Sequence, residues 1–416
     1  WCQACVEGIL MYKKTVCVIG LGYIGLPTAA LLAGNGYRVL GVDINSHAVE
    51  TINKGLIHIV EPKLDEYVKS AVSNGSLRAF SKPQSADIYM LCVPTPFHEG
   101  DGAPTPNIDY VLSAVDGIST LLKKGDTVIL ESTCPVGTTD MVAERLNERG
   151  VDTSTILIAY CPERVLPGNI MVELIENDRV VGGYNPASTL AVKEFYKTFV
   201  KGVILESDAK TAEMCKLTEN SFRDINIAFA NELSMVCDKE GINVWDLIEL
   251  ANKHPRVNIL QPGPGVGGHC IAVDPWFIVS RNLKEAKIIR NAREINNYKT
   301  QWVIEKINAR IANFTEANKR KPRVVCFGLA FKPDIDDLRE SPAVRVAEAL
   351  KNETCELAVV EPNIVEHDHF SLYNIEEALL DVDLVVLLVK HKQFLDEAII
   401  SRLKLLDVED FCGITQ

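Results

Sequence analysis

The sequence lacks a long apolar run, an excess of basic residues and a clustered set of cysteines, and each absence excludes a class of protein. No apolar run approaches the roughly 20 residues of a membrane-spanning helix; the longest strand-like run is 384–389. The 43 Lys and Arg against 56 Asp and Glu give a net charge of -13, which argues against nucleic acid or an anionic membrane as partner. The twelve scattered cysteines are typical of a reduced, cytoplasmic protein.

The length and composition predict a globular protein of two or three domains. The chain has 416 residues, of which 47% are hydrophobic and 24% charged. Residues 1–10 precede Met11, lack the basic region of a signal peptide, and are expected to lie outside the fold. They contain a single CxxC motif, Cys2 and Cys5. Because no second pair of this kind follows, the sequence predicts no metal site.

Residues 15–43 contain a dinucleotide-binding fingerprint in its full context. A predicted strand runs into Gly20-Leu21-Gly22-Tyr23-Ile24-Gly25, and a helix and a second strand then lead to Asp43. The glycines let the backbone approach a pyrophosphate, whose charge the helix N-terminus receives. Asp43 would accept hydrogen bonds from ribose hydroxyls and repel a 2′-phosphate, so the motif predicts NAD as cofactor.

Polar residues follow three further predicted strands. Thr95 and Thr133 come after the strands at 87–93 and 127–130. Ligands of doubly wound sheets bind beyond the carboxyl ends of strands, so both threonines are candidate cofactor contacts. Glu163 and Arg164 follow the strand at 156–159, where the residues alone leave open a functional pair or ordinary surface charge.

The middle of the chain is predicted to be helical. Residues 211–239 contain neither Gly nor Pro, which predicts a long helix able to connect two domains. Lys216, Asn220 and Arg223 would share one face of it. This polar stripe either meets solvent or lines a polar cavity. Further helices are predicted at 244–253 and at about 284–315.

A glycine-rich loop in this region leads to one cysteine. Residues 262–268 include four glycines and two prolines, so no regular helix or strand can cover them. Asp274 and Pro275 predict the N-cap and first position of a helix. The helix dipole would then favour the thiolate of Cys270. The stretch alone leaves open a nucleophile or a structural cysteine.

The C-terminal part repeats the pattern of the first domain. A strand at 321–327 ends at Gly328, a helix follows Ser341-Pro342, and a strand at 357–360 ends at Glu361. The loop after Gly328 lacks the spacing that cradles a pyrophosphate, but Lys332 and Arg339 would bind a phosphorylated ligand. The predicted fold is α/β, with two Rossmann-like doubly wound domains joined by a central helical domain with a long connecting helix. The predicted domains are 11–207, 208–318 and 319–416.

A thiolate beside an NAD domain suits an oxidation that proceeds beyond an aldehyde. The thiolate adds to the carbonyl, the thiohemiacetal gives up a second hydride, and the thioester is hydrolysed to an acid. This predicts the four-electron oxidation of a primary alcohol with two NAD. A two-electron dehydrogenase of the hydroxyacid or phosphogluconate type and a non-catalytic sensor that binds its ligand without producing NADH are the alternatives.

Three motifs resemble the nucleotide-sugar 6-dehydrogenase family, which includes UDP-glucose, GDP-mannose and UDP-N-acetylhexosamine dehydrogenases. They are Gly267-Gly268-His269-Cys270 with Asp274-Pro275, Lys216-x-x-x-Asn220, and Phe331-Lys332-Pro333. The resemblance implies C6 oxidation of UDP-N-acetyl-D-mannosamine, for a surface polysaccharide of the enterobacterial common antigen type. UDP-N-acetylglucosamine, UDP-glucose and GDP-mannose stay open as substrates. Ala272 and Val273 count against UDP-glucose, whose dehydrogenases usually have proline and lysine there.

The resemblance also implies roles for residues and a homodimer formed through the central helical region. Cys270 would be the nucleophile, Lys216 and Asn220 would stabilise an oxyanion, Asp274 would orient Lys216 or water, and Glu163 would act in thioester hydrolysis. The expected cofactor contacts are Tyr23, Ile24, Asp43, Thr95, Thr133 and, from the opposite domain, Arg339. The expected UDP-sugar contacts are Arg164, Val165, Lys216, Asn220, Arg223, His254, Arg256, Gly267, Phe331 and Lys332.

Overall fold

The computed structural model describes residues 12–98, 104–166, 168–268, 270–351 and 354–416. The predicted leader with Cys2 and Cys5, and also His269, lie outside the described residues. The chain forms two compact units, one ending at Leu217 and the other beginning at Thr218. The three predicted domain boundaries stay a prediction. Within the described ranges, no helix combines the length and apolar character of a membrane span.

The first unit is built on a sheet of eight strands. Across the sheet the order is β10-β9-β8-β7-β4-β1-β2-β3, and every neighbouring pair is parallel except β8 with β9. Two further short strands, β5 and β6, pair with each other in antiparallel fashion. In chain order the strands are β1 (Thr15–Ile19), β2 (Arg38–Val42), β3 (Leu77–Phe80), β4 (Ile88–Leu91), β5 (Phe97–His98), β6 (Thr105–Pro106), β7 (Thr127–Leu130), β8 (Leu157–Tyr160), β9 (Arg179–Gly183) and β10 (Ile204–Asp208).

Helices cover both faces of this sheet. Along β1, Val16 and Val18 join one buried cluster, whereas Cys17 and Ile19 join another. Alternate residues of one strand therefore meet two separate cores, which is why the strand is apolar throughout. The helices are α1 (Gly25–Gly34), α2 (Ser46–Asn53), α3 (Leu64–Ser73), α4 (Asp109–Ser119), α5 (Thr138–Glu148), α6 (Ile170–Glu176) and α7 (Pro186–Tyr196), with a 3-10 turn at Thr153–Thr155.

Two long helices dominate the central region. Helix α8 (Ala209–Glu240) passes from the first unit into the second, and it confirms the long helix predicted at 211–239. It is followed by α9 (Val244–Ala251), α10 (Asp274–Arg281) and α11 (Lys287–Asn318). Because α8 and α11 have 32 residues each, each spans about 48 Å.

The C-terminal sheet reproduces the middle of the first one. Its strands β11 (Arg323–Phe327), β12 (Glu356–Val360), β13 (Leu384–Leu387) and β14 (Val408–Asp410) are parallel, in the order β12-β11-β13-β14. The first sheet contains β2-β1-β4-β7 in the same arrangement. The predicted fold of two Rossmann-like domains with helices between them is confirmed. The helices around the C-terminal sheet are α12 (Pro342–Leu350), α13 (Ile375–Ala378) and α14 (Glu397–Leu403), with a 3-10 turn at Lys392–Leu395.

Backbone detail extends the repeat to the loops. The N–H of Gly20 donates to the carbonyl of Val42 at 2.8 Å, and the N–H of Gly328 donates to the carbonyl of Val360 at 2.8 Å. Both glycines have positive φ, of 90° and 92°, which residues with a Cβ atom rarely adopt. The same turn therefore leaves the first strand of each sheet.

Glycines also let the cysteine loop pack tightly within the second unit. A Cβ atom at Gly267 would lie 2.6 Å from the carbonyl oxygen of Glu340 and 2.7 Å from the Cβ atom of Phe331. The N–H of Gly268 donates to the carbonyl of Arg339 at 3.0 Å. The loop before Cys270 thus lies directly against the loop that carries Phe331.

We expect Gly267→Ala to destabilise the second unit by about 1–3 kcal/mol, because the added methyl group would push the cysteine loop away from Glu340 and Phe331. Gly263→Ala in the same loop is the matched control, since a Cβ atom there meets no other atom within 4 Å. Thermal unfolding of both variants measures the difference. Equal unfolding midpoints would contradict the tight packing.

Lys299 is a buried cation on α11. Its side chain is 2% exposed, and its Nζ donates to Ser234 Oγ at 2.8 Å and lies 3.9 Å from the ring centroid of Trp302. It borders a cavity of about 250 Å³. Burial lowers the pKa of Lys299 to about 7, although nearby Asp238 opposes this shift.

Replacing Lys299 by Met should remove a pH dependence from stability. An unfolded lysine keeps its proton up to a pKa of about 10.4, so between about pH 7 and pH 10 the unfolded chain binds more protons than the folded one. The unfolding free energy of the wild type should therefore rise with pH there, by up to about 1.4 kcal/mol per pH unit relative to the variant. Urea unfolding followed by tryptophan fluorescence tests this. Parallel pH profiles would refute it.

Candidate active site

The predicted cofactor site has the shape that a dinucleotide requires. A Cβ atom at Gly25 would lie 1.7 Å from the carbonyl oxygen of Gly20, so the turn closes only with glycine. Helix α1 then begins at Gly25, and no side chain caps it. Its first N–H groups suit the charge of a pyrophosphate. Asp43 is half-buried, and its carboxylate accepts hydrogen bonds from the N–H groups of Leu21 and Asn45 at 2.9 and 2.8 Å.

The other candidate cofactor residues of the first unit lie at the carboxyl ends of its strands or beside the glycine turn. Thr95 is buried, and its hydroxyl donates to the carbonyl of Thr133 at 2.6 Å. Strands β4 and β7 are neighbours, which explains why the two threonines meet. Tyr23 is exposed and Ile24 half-buried. These positions agree with a role in cofactor binding, which stays a prediction for each residue.

Glu163 belongs to a buried charged cluster that sequence reasoning missed. Its Oε2 pairs with Arg179 Nη1 at 3.1 Å, and its Oε1 accepts from the N–H of Arg164 at 2.6 Å. Arg179 is 4% exposed, with its guanidinium 5.1 Å from the ring centroid of Tyr196. The hydroxyl of Tyr196 donates to Glu131 at 2.5 Å. Glu163 is thus buried, and its carboxylate is held by partners on two sides.

The remaining substrate candidates of the first unit have different settings. Arg164 is half-buried, and its Nη1 donates to the carbonyl of Asp178 at 3.3 Å. Val165 is half-buried and packs against the buried cluster that includes Val16 and Val18. Lys216 is half-buried on α8. Four residues later on the same face comes Asn220, whose neighbours belong to the second unit.

Asn220 and Asp274 are brought together by the fold. The Nδ2 of Asn220 donates to the Oδ2 of Asp274 at 2.5 Å. Asp274 is 3% exposed and is the first residue of α10, whereas Val273 holds the N-cap position. The prediction that Asp274 caps this helix is wrong, because its side chain turns toward α8. Its expected effect on Lys216 or on water stays a prediction.

Cys270 lies four residues before the start of α10. Its carbonyl accepts hydrogen bonds from the N–H groups of Val273 and Asp274 at 3.0 and 2.8 Å. Of the cysteines that the structure describes, it is the one classed as exposed. Burial raises the pKa of Cys17 to about 11 and that of Cys161 to about 12. Cys270 is therefore accessible, whereas its role as a nucleophile stays a prediction.

A buried polar network holds the cysteine loop between the two long helices. Arg293 of α11 pairs with Asp224 of α8 at 2.6 Å, and their side chains are 2% and 0% exposed. Asn296 donates to the same carboxylate at 2.8 Å and accepts from the Nδ2 of Asn231 at 2.9 Å. The Oδ1 of Asn231 in turn accepts from the N–H of Gly263 at 2.9 Å. The network therefore runs from the ion pair to the first glycine of the loop.

The other substrate candidates of the second unit fall into two groups. Phe331 and Lys332 are half-buried in the loop that packs on Gly267. Arg339 is exposed, and its carbonyl accepts the hydrogen bond from the N–H of Gly268. Arg223, His254 and Arg256 are exposed on α8 and in the segment after α9. Among the described residues, no group of three or more His, Cys, Asp or Glu side chains could hold a metal ion.

Three family models match almost the whole chain. All describe the UDP-glucose/GDP-mannose dehydrogenase family: its NAD binding domain at residues 14–200, its central domain at 210–298 and its UDP binding domain at 325–412. The chain is 55% identical over 402 residues to the UDP-N-acetyl-D-mannosamine dehydrogenase of Yersinia pestis, covering 92% of this chain and 95% of that protein. It is 51% identical over 395 residues to the NDP-N-acetyl-D-galactosaminuronic acid dehydrogenase of Ralstonia nicotianae, covering 92% of each.

A solved structure agrees with these matches. The UDP-N-acetyl-mannosamine dehydrogenase of Staphylococcus aureus superposes with a TM-score of 0.87 at 41% identity, covering 97% of this chain and 96% of that one. The order of domains in the family models is that of the fold described above. The chain therefore belongs to the UDP-glucose/GDP-mannose dehydrogenase family, whose NAD binding, central and UDP binding domains follow one another along it.

Proposed function

We propose that this chain oxidises the C6 hydroxyl of UDP-N-acetyl-D-mannosamine to UDP-N-acetyl-D-mannosaminuronate, a four-electron oxidation with two NAD. The observation that carries the proposal is an exposed Cys270, four residues before the start of α10. The first residue of that helix, Asp274, accepts a hydrogen bond from Asn220. A dehydrogenase that stops at a carbonyl needs no thiol at this place. The UDP binding model at 325–412 supports a UDP-sugar as substrate.

The first unit would hold the cofactor. Bound NAD supplies the hydride acceptor. Gly20, Gly22 and Gly25 would bring backbone N–H groups to its pyrophosphate, and Asp43 would face its ribose. Tyr23, Ile24, Thr95 and Thr133 lie at the same ends of the strands, and Arg339 is the contact proposed from the UDP binding domain.

Cys270 would carry the substrate between the two oxidations. Its thiolate attacks C6 of the aldehyde, forming a carbon–sulfur bond and an alkoxide, which gives a thiohemiacetal on protonation. Loss of hydride from C6 leaves a thioester. Water then attacks this carbonyl, the carbon–sulfur bond breaks, and the acid and the thiolate are released. The enzyme is regenerated without a further oxidant.

Lys216 and Asn220 would stabilise the charge that develops on the C6 oxygen. They are one turn apart on the same face of α8, so an ammonium and an amide N–H can both donate to one oxygen. The hydrogen bond from Asn220 to the buried Asp274 fixes the amide orientation. Donors that are held in place before the reaction stabilise an oxyanion most effectively.

Glu163 would assist the hydrolysis. Arg179 and the N–H of Arg164 hold its carboxylate in place, so an attacking water would meet an oriented base. The UDP-sugar itself would be bound by the residues implied above, which include Arg164, Val165, Arg223, His254, Arg256, Gly267, Phe331 and Lys332.

The identity of the sugar rests on the relatives and on two residues of the loop. The relative from Yersinia pestis is named for UDP-N-acetyl-D-mannosamine, and the one from Ralstonia nicotianae for an NDP-N-acetyl-D-galactosaminuronic acid. Both names describe N-acetylhexosamine derivatives, which agrees with Ala272 and Val273 in the cysteine loop. We assign the mannosamine because the relatives with 52–55% identity carry that name.

Two further parts of the proposal concern the setting of the enzyme. We place it in the cytoplasm, where nucleotide sugars and NAD are available and its scattered cysteines stay reduced. Its product would enter a cell-surface polysaccharide of the enterobacterial common antigen type.

A homodimer is proposed from an apolar stripe on α8. Phe222, Phe229 and Val236 are 66%, 57% and 50% exposed, and their spacing of seven residues keeps them on one side of the helix. Leu250 on α9 is 70% exposed. Large apolar side chains in a row on one helix are typical of an interface with another copy of the chain.

Two NADH should be released for each UDP-N-acetyl-D-mannosamine consumed. The ratio is measured from the NADH absorbance at 340 nm and the amount of residual substrate. Separate assays use UDP-N-acetylglucosamine, UDP-N-acetylgalactosamine, UDP-glucose and GDP-mannose. One NADH per sugar would refute the thioester step. Two NADH from a faster competing sugar would keep the mechanism and overturn the substrate.

Cys270→Ala should abolish acid formation, while the affinity for NAD stays within about two-fold because the cofactor residues keep their positions. Cys355→Ala, at a half-buried cysteine directly before β12, is the matched control and should keep its activity. Turnover and NAD titrations of both variants test this. Loss of NAD binding in Cys270→Ala would instead indicate a structural cysteine.

Phe229→Glu should convert the dimer to a monomer, because a buried, unpaired carboxylate costs several kcal/mol at an interface. Leu405→Glu is the control, since Leu405 is 87% exposed and lies outside the stripe. Sedimentation velocity of the three proteins gives their masses. A monomeric wild type, or a dimeric Phe229→Glu variant, would contradict the interface.

A further inference from the structure

The acidic residue after the second strand is treated differently in the two sheets. Asp43 after β2 and Glu361 after β12 occupy equivalent places, and each accepts a hydrogen bond from the residue after the first glycine, Leu21 or Leu329. Asp43 is half-buried and can meet a ribose, whereas Glu361 is 4% exposed. Glu361 therefore lies beneath its loop and needs a different explanation.

Glu361 is the acceptor for the start of the loop after β11. Its Oε2 accepts from the N–H groups of Leu329 and Ala330 at 2.7 and 3.0 Å, and its Oε1 accepts from the N–H of Asn363 at 3.0 Å. Burial alone would raise the pKa of Glu361, but the hydrogen bond from His391 and those from the loop outweigh it and lower the pKa. The carboxylate is thus held ionised by its donors.

His391 joins this carboxylate to the far end of the same loop. Its ring is fully buried, with Nε2 3.0 Å from Glu361 Oε2. Its Nδ1 accepts from the N–H of Asp334 at 2.9 Å. A backbone N–H can only donate, so Nδ1 carries no proton and Nε2 donates to Glu361. Asn363 Nδ2 lies 2.9 Å from the same Nδ1, which reinforces this tautomer.

The loop between the two anchors carries Phe331 and Lys332. Glu361 holds its residues 329 and 330, and His391 holds residue 334, which has a left-handed φ of 62°. Within this span the ring of Phe331 would lie 2.9 Å from a Cβ atom at Gly268. Ser341 Oγ also donates to the carbonyl of Leu329 at 2.6 Å, and the N–H of Phe331 donates to the carbonyl of Asp337 at 3.1 Å. Glu361 and His391 add the buried anchors at the two ends of the loop.

We propose that His391, acting through Glu361, is a positioning residue that fixes the 329–334 loop for the UDP half of the substrate. The inference rests on the proposed function, which assigns Phe331 and Lys332 to the UDP-sugar. Asp43 of the first unit would meet a ribose. Its counterpart Glu361 in the C-terminal sheet is buried and instead accepts hydrogen bonds from backbone N–H groups.

The test compares His391→Ala, which removes the contacts with Glu361, Asp334 and Asn363, with His391→Gln, whose amide can both donate and accept. His369→Ala, at an exposed histidine of the same domain, is the matched control. Titration calorimetry of the full chain with UDP and, separately, with NAD gives the affinities, and thermal unfolding shows that each variant is folded at the assay temperature. Asn363→Ala, which removes one donor to His391, serves if His391→Ala does not fold.

We expect His391→Ala to weaken UDP binding at least ten-fold, with NAD binding within two-fold of the wild type. His391→Gln should recover part of the UDP affinity, and steady-state kinetics should show a raised KM for the UDP-sugar with a smaller change in kcat. If His391→Ala folds and its UDP affinity is unchanged, the positioning role is overturned and the proposed function is not. If His391→Ala does not fold, an unchanged UDP affinity of Asn363→Ala has the same meaning. A wild type that binds no UDP would overturn the proposed function and this inference together.

Discussion

The geometry of the cysteine loop depends on one buried ion pair. Asp224 and Arg293 join the two 32-residue helices, α8 and α11, at a point where both side chains are almost fully buried. Removing one partner of such a pair leaves an uncompensated charge in the interior, at a cost of about 3–5 kcal/mol. Such a loss would also disturb the asparagine network that starts from this pair and reaches Gly263.

The two sheets show how one frame can serve two ligands. Both use a glycine with positive φ after the first strand and an acidic residue after the second. In the first unit the turn continues into an uncapped helix, as a pyrophosphate requires. In the second, α12 starts later and Ser341 caps it by accepting from Ala343 and Val344. Because the cap is filled and the acid is buried, recognition of an anion would need side chains, and Lys332 is the one proposed for it.

Much of the fold could be predicted because its signals are local. The glycine turn after β1, the helix without Gly or Pro at 211–239 and the recurrence of the pattern after 321 were each visible as spacing, and the structure confirms them. The N-cap at Asp274 was predicted wrongly, since a cap depends on which way one side chain turns. That choice is made by the partner on α8, which the local sequence does not contain.

The supporting residues of the site were harder to find, for a physical reason. Arg179, Arg293 and His391 are charged or polar residues that usually lie at the surface, and only the fold shows that they are buried. Asp224 directly follows Arg223, and nothing in the local sequence distinguishes this buried carboxylate from its exposed neighbour. The roles of Cys270 and the other proposed site residues stay predictions, because a fold gives the positions of side chains and not their chemical reactivity.

The contrast between Cys270 and the other cysteines has a practical consequence. Burial holds thiols such as Cys17, Cys161 and Cys326 in their protonated form by raising the pKa of each, whereas Cys270 meets solvent. Among the described cysteines, a small electrophile such as iodoacetamide would therefore alkylate Cys270 first. The adduct on this one peptide, counted by mass spectrometry, would report the fraction of chains in a preparation whose Cys270 thiol is intact.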